Sequence, residues 1–377
     1  MSISQPERVL IIKLRHHGDV LLSTPVVDAL KHKFPDCEVD MLVYAATTDV
    51  ILDNRQISNI FTIDREWKKQ GVRAQLAHEK ALFKSLKARN YDWAFNISDQ
   101  WRAAFLAKLC AHYSAGIACC KRDNFLWRHC HDFLNEELDT SHHMVESNLN
   151  VLPPLVLPEE YPAKVRMEIS PANRESVLEK LSAQGWNGEP YVLAHPGARW
   201  FFKCWEDGKN AALLQLLLLN GKNVVLTASP DAAEQEMVQS ILGRLKIPDG
   251  VHVWVLSGCL NLRELAAAID GAELFFGVDS VPMHIAAALD HKADMLYLGG
   301  EVLANRRLLQ EIGSLNIPAV VCKAAHHSVR DWLVAAEQIV LQGNQHIILG
   351  DAGTLSWHSE HLRLDIDALV AAKKLSH

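Results

Sequence analysis

Three short polar turns carry the residue types that chemistry needs. The first is Arg15-His16-His17-Gly18-Asp19. It follows the apolar run Val9-Leu10-Ile11-Ile12-Lys13-Leu14 and precedes a helical periodicity from Val20 to Phe34, with Pro35 closing it. Ligands in open α/β sheets bind outside the carboxyl ends of strands, so a carboxylate at this junction faces a crevice. Asp19 could take the proton from an attacking hydroxyl. The same residue in the same turn would equally serve as an ordinary helix cap. One carboxylate suffices for a single inverting displacement at a sugar carbon, whereas glycoside hydrolysis uses a pair. The second turn is His195-Pro196-Gly197-Ala198-Arg199, followed by Lys203. Glycine permits close backbone approach, and the two cations could neutralise a diphosphate. It also reads as a plain solvated turn, and the phosphate-loop spacing is absent. The third is Phe276-Gly277-Val278-Asp279-Ser280-Val281-Pro282-Met283-His284. A strand end passes through it into a helix whose first N–H groups suit an anion, with the Ser280 hydroxyl beside them. Asp279 as a cap and His284 as a core histidine are the bland alternatives.

These turns need strands and helices to position them. Short continuous apolar runs fit strands buried on both faces of a parallel sheet. Glu38 to Tyr44, Ile60 to Ile63 and Trp93 to Ile97 join the first run as predicted strands, with a helix over Glu79 to Arg89. Pro153, Pro154, Pro158 and Pro162 then cluster between Leu152 and Lys164, where a linker is expected. A second alternation follows. Its predicted strands are Tyr191 to Ala194, Asn223 to Thr227, Val251 to Val255 and Leu274 to Phe276. Its predicted helices are Asn210 to Asn220, one from Ala232, Leu262 to Asp270, and Pro282 to Leu289. Such alternation indicates βαβ units in doubly wound sheets. The expected domains are 1–155, 165–290 and an atypical segment 291–377.

Composition narrows the function classes. The 377 residues are 49% hydrophobic and 22% charged, enough for two cores and too apolar for a disordered chain. A net charge of -7 argues against nucleic acid as the partner. The eight cysteines, including the adjacent Cys119 and Cys120, show no metal-ligand spacing and read as free thiols of a reducing cytoplasm. Gln5-Pro6-Glu7-Arg8 leads straight into a strand without a signal pattern, and no window of about 20 apolar residues exists. No internal repeat is present, and no metal is expected.

Residues 8 to 290 resemble the family 9 glycosyltransferases, the ADP-heptose:lipopolysaccharide heptosyltransferases. The turn Arg15 to Asp19 looks like the form found in heptosyltransferase III. So do Ser98-Asp99-Gln100-Trp101, Val145-Glu146-Ser147-Asn148-Leu149, Phe202-Lys203-Cys204-Trp205 and Gly277-Val278-Asp279-Ser280. The resemblance implies a GT-B fold, two Rossmann-like domains facing a cleft, and a metal-independent inverting transfer. It implies ADP-heptose as donor and an inner-core heptose of lipopolysaccharide as acceptor. It makes Asp19 the general base and Lys203 a donor-binding lysine. Asp279, Ser280 and His284 match the nucleotide-sugar loop, and Thr227 and Glu234 lie near the adenosine region. Arg199 joins the donor side, while Arg15, His16, His17 and Asp99 fall to the acceptor. A cytoplasmic location follows, with room for peripheral contact at the inner membrane.

After Leu289 the pattern changes. The chain reads His291-Lys292-Ala293-Asp294-Met295-Leu296, and from there resembles the 3-deoxy-arabino-heptulosonate 7-phosphate synthases. The carriers are Asn305 to Gly313, Ile317 to Lys323, and Trp332 to Leu349. That family is a TIM barrel, of which this segment would be a few βα units. Lys323 matches a phosphoenolpyruvate-contacting lysine, but Asp351-Ala352-Gly353 stands where that family has Glu-Arg-Gly. Asp294 to Leu298, Ala319 to Cys322 and Ile347 to Leu349 are predicted strands, and Ser328 to Leu341 a predicted helix, packed onto the second domain without a site of their own. Two resemblances in one chain imply a chimera. The rival functions are therefore a nucleotide-sugar or lipopolysaccharide-binding chimera that has lost transfer, and a phosphoenolpyruvate-dependent aldose-phosphate synthase.

Overall fold

The computed structural model describes residues 5–118, 124–135, 143–152, 164–289, 295–315, 317–351, 354–356 and 359–376. Cys119, Cys120, the four linker prolines, His291 to Asp294 and Ala352-Gly353 lie outside them. The chain divides into two compact units, Met1–His291 and Lys292–His377.

The first unit begins with β1 (Arg8–Lys13), α1 (His17–Leu21), α2 (Thr24–Lys33), β2 (Glu38–Tyr44) and β3 (Asn59–Ile63). It continues with α3 (Val72–Ala88), β4 (Tyr91–Asn96), α4 (Trp101–Cys110), β5 (Ala111–Ile117), α5 (Phe125–His129), β6 (Phe133–Asn135) and α6 (Met144–Leu149). Six parallel strands pair in the order β3-β2-β1-β4-β5-β6. Val9 and Ile11 of β1 enter one apolar cluster while Leu10, Ile12 and Leu14 enter another. That split explains the unbroken apolar run, because both faces of the strand are covered.

The expected single helix from Val20 to Phe34 is two helices. Pro25 lacks the N–H that would continue the ladder, so the chain restarts at Thr24. Ser23 Oγ donates to the Val20 carbonyl and Thr24 Oγ1 to the Leu21 carbonyl, taking up groups freed by the break. The helix expected over Glu79 to Arg89 starts earlier, at Val72.

After α7 (Pro171–Ser182) comes a second alternation. It runs β7 (Tyr191–His195), α8 (Asp207–Leu219), β8 (Asn223–Leu226), α9 (Ala232–Leu242), β9 (Val253–Val255), α10 (Leu262–Asp270), β10 (Leu274–Gly277) and α11 (Val281–Ala288). Its four parallel strands pair as β10-β7-β8-β9. The strand order reverses beside β1 in the first sheet and beside β7 in the second. Those reversals are where crevices open at the carboxyl ends of doubly wound sheets.

The second unit contains β11 (Leu296–Leu298), α12 (Arg306–Ser314), β12 (Ala319–Lys323), α13 (Val329–Val340) and β13 (Ile347–Asp351). A hairpin of β14 (Thr354–Ser356) and β15 (Ser359–Arg363) follows, then α14 (Ile366–Leu375). β11, β12 and β13 form a parallel sheet of their own in sequential order. Leu298, Leu309, Val321, Trp332 and Ile339 build its core. The helix expected over Ser328 to Leu341 is α13, opened by a reciprocal cap between Ser328 and Asp331. Three sequential parallel strands suit a piece of a barrel and an open sheet alike.

Candidate active site

The first half of the site grows from the end of β1. Leu14 N donates to Ser98 Oγ at 2.6 Å, and that hydroxyl donates to the Ile12 carbonyl at 3.1 Å. The tie holds the end of β1 against the end of β4, where the strand order turns. The chain then enters α1, and Asp19 Oδ2 accepts a 3.3 Å hydrogen bond from His16 N. Asp19 thus caps its own helix and also lines a cavity. The two readings of its role are compatible. His17 Nε2 donates to the Ala46 carbonyl at 2.6 Å, and burial pushes its pKa down.

The second half starts at the end of β7. A Cβ on Gly197 would lie 2.4 Å from Glu234 Oε2, so a side chain there would drive the carboxylate away. Glu234, in the first turn of α9, accepts from Ser229 N at 2.9 Å. His195 Nδ1 stands 3.0 Å from Thr227 Oγ1, and burial lowers the pKa of His195 to about 4. Its Nε2 is 4.0 Å from Glu234 Oε2, too long for a hydrogen bond, so the neutral imidazole follows from geometry as well. Lys203 Nζ donates to Asp279 Oδ2 at 2.5 Å. Ser280 stands at the N-cap position of α11 with Pro282 just inside the helix; its Oγ donates to the Val278 carbonyl at 3.2 Å, and both residues line the cavity.

The two halves meet around a cavity of about 620 Å³. From the first sheet come His16, His17 and Asp19; from the second come Arg199, Lys203, Thr227, Glu234, Asp279, Ser280 and His284. Arg199 Nη1 donates across the cavity to His16 Nδ1 at 3.1 Å, which requires a neutral imidazole. Burial, then the Arg199 charge, pushes the His16 pKa down accordingly. His284 crosses in the other direction. Its Cδ2 would sit 2.9 Å from a Cβ at Gly18, so a side chain there would displace the ring edge. Arg15 and Asp99 do not line the cavity; they pair with each other at 3.0 Å.

Sequence reasoning missed Asp49, Met144, Trp200 and Asn261 on the cavity wall. Trp200 carried a signal, since a tryptophan in a solvated turn is unusual, and it is 59% exposed. Lys13 was passed over too. It is buried at the end of β1, and its Nζ donates to Asn148 Oδ1 at 2.8 Å. Among the described residues no helix is long and apolar enough to cross a membrane.

Two doubly wound parallel sheets whose strand-order reversals open onto one cavity define the GT-B class of glycosyltransferase, with a carboxylate on one wall and cations on the other. Within that class the particular family is shown by comparison. The model of glycosyltransferase family 9 (heptosyltransferase) matches residues 80–298, and the chain belongs to that family. Lipopolysaccharide heptosyltransferase 3 of Escherichia coli is 36% identical over 278 residues, covering 74% of this chain and 79% of that protein. The E. coli heptosyltransferase WaaC, solved with ADP-2-deoxy-2-fluoro heptose, superposes with a TM-score of 0.60 at 20% identity, over 78% of this chain and 89% of that one. Over 86 residues the chain is also 33% identical to phospho-2-dehydro-3-deoxyheptonate aldolase of Thermotoga maritima, covering 22% of this chain and 25% of that protein.

Proposed function

We propose that the chain transfers heptose from ADP-heptose to an inner-core heptose of lipopolysaccharide, with inversion and without a metal. The observation that carries this reading is the convergence of Asp19 with Lys203, Asp279 and Ser280, from different sheets, on one cavity. The relatives named above support the donor and the acceptor. In the transfer, an acceptor hydroxyl oxygen attacks the anomeric carbon while the bond from that carbon to the diphosphate oxygen breaks. The proton passes to the Asp19 carboxylate, and ADP leaves with the bonding pair. Charge grows on the leaving diphosphate, where fixed donors count most. We assign that stabilisation to Lys203 and Arg199, which line the cavity beside Asp279 and His16 and would do the work a metal would otherwise do. Thr227 and Glu234, which line the cavity beside Ser229, are our candidates for the adenosine side. His16 and His17 line the acceptor side with Asp19, and the Arg15–Asp99 pair stiffens that turn from outside the cavity. The 1–155 and 165–290 halves take acceptor and donor respectively.

The test is incubation with ADP-heptose and heptose-deficient core lipopolysaccharide, read by mass spectrometry. The wild type should add one heptose. Asp19→Ala should lose on the order of a hundredfold or more in turnover with ADP affinity nearly intact. Near-normal turnover in that variant would reduce Asp19 to a helix cap. The 86-residue match to a different enzyme motivates a second reading, a sugar-nucleotide-binding chimera that no longer transfers. ADP binding by the wild type without product would favour it.

A further inference from the structure

Trp200 is a cavity residue that the mechanism above leaves unused. Trp93, Trp127, Trp254 and Trp332 are buried, whereas Trp200 lines the cavity that holds Asp19 and stays 59% exposed. Phe201 and Phe202 beside it are exposed as well, and exposed apolar surface of this size marks a place where something binds. The indole is held ready for it. Lys203 N donates to the Trp200 carbonyl at 2.9 Å, which closes a tight turn over Phe201–Lys203. The Phe202 ring stands 6.4 Å from the indole at 34°. The Arg199 guanidinium carbon lies 5.8 Å from the indole centroid, within reach of a cation–π contact. That guanidinium also donates to His16 Nδ1 at 3.1 Å. At the other end of the turn, Lys203 Nζ is taken by Asp279 Oδ2. The segment therefore has two ends. Lys203 belongs with the Asp279 loop, while Arg199 and Trp200 are tied to the wall that carries His16, His17 and Asp19.

We propose that Trp200 is the platform on which a pyranose ring of the acceptor stacks. The proposal rests on the reading of this cavity as a sugar-transfer site. A pyranose carries hydroxyls around its rim and C–H groups on its faces. The face of an indole is electron-rich and attracts those C–H groups, and it shields them from water without asking for a hydrogen bond. The rim hydroxyls then meet the polar groups of the same cavity, His16, His17, Asp19 and Asp49. A ring fixed before the sugar arrives loses little freedom on binding, since a tryptophan has only two rotatable side-chain bonds.

The experiment measures transfer from ADP-heptose to a delipidated core oligosaccharide that carries the acceptor heptose, so that no lipid contributes. Trp200→Ala should raise the acceptor KM roughly tenfold, with kcat and the donor KM each within about twofold of the wild type. Trp200→Phe keeps a flat ring and should recover most of the loss, whereas Trp200→Leu should not. The side chain is exposed, so none of these variants disturbs a core. A rise in the donor KM instead, or equal losses in the Phe and Leu variants, would overturn the proposal. So would a loss seen only with the lipid-bearing acceptor, because the aromatic run would then be meeting lipid. A wild type that binds ADP but forms no product would defeat the parent reading alone. Calorimetry of the oligosaccharide on the ADP-bound protein then decides the platform. Affinity roughly tenfold weaker in Trp200→Ala supports it, and unchanged affinity or no binding to the wild type overturns it.

Discussion

His195 has no room to be charged. It lies buried between Thr227 and Glu234, with its pKa near 4 because of burial. An unfolded histidine titrates near 6.5. Between those values the unfolded chain binds a proton that the folded chain refuses, so stability is lost as pH falls from about 6.5 to about 4. The full gap corresponds to roughly 3 kcal/mol. His16, His17, His131 and His284 are also pushed down by burial and add to the slope. Chemical denaturation at pH 7, 6 and 5 should show His195→Gln losing about one proton of that slope. An identical slope would mean the imidazole is accessible to protons in the folded state. At this scale the polar turns were legible in the sequence, and the structure puts Asp19 and Lys203 from two of them on the cavity wall. The sequence was silent on Lys13, which ends an apolar run like any snorkelling lysine. Only the fold brings Asn148, 135 positions away, to its ammonium.

Helices α1 and α11 face each other across the cavity, and their approach is set by one missing side chain. A Cβ on Gly18 would press on the His284 ring at 2.9 Å. The ring edge can turn aside, so Gly18→Ala should cost only about 1 kcal/mol of stability. The larger effect is expected on transfer, because the ring sits beside both Asp19 and the Asp279 turn. Turnover should fall several-fold while thermal melting changes little. Full activity in Gly18→Ala would show that the ring relocates freely. Among the elements, strands buried on both faces were legible as unbroken apolar runs. The α1–α2 break was not, because the apolar periodicity continues through Leu22 and Ser23 while the backbone does not; Pro25 was the available signal. β5 was missed because Ala111 to Ile117 mixes His112 and Ser114 into the strand, and the buried Ser114 hydroxyl is answered by Asp132 Oδ2 and the Cys130 carbonyl, which only the fold brings to it.

At the scale of the whole molecule, the second unit has its own sheet and core, and Lys323 at the end of β12 is already answered within it. Its Nζ donates to Asp365 Oδ2 at 3.0 Å, and Asp365 also caps α14. With that ammonium engaged, mixing the protein with phosphoenolpyruvate, erythrose 4-phosphate and a divalent metal should yield no condensation product. Product formation that disappears in Lys323→Ala would place an active centre in the second unit. The pairing order of the first unit also bears on how the chain comes into being. Every strand of the six-stranded sheet lies between Arg8 and Asn135. It can close while the rest is still being synthesised, since domains fold as units from the N-terminus. The four-stranded sheet cannot, because β7 waits for β10, which begins at Leu274. During translation there is thus an interval in which one wall of the cavity stands finished and the other does not exist. The nascent chain completes its second wall only after residue 284 has left the ribosome, so a stalled or truncated product would carry Asp19 without the wall that faces it.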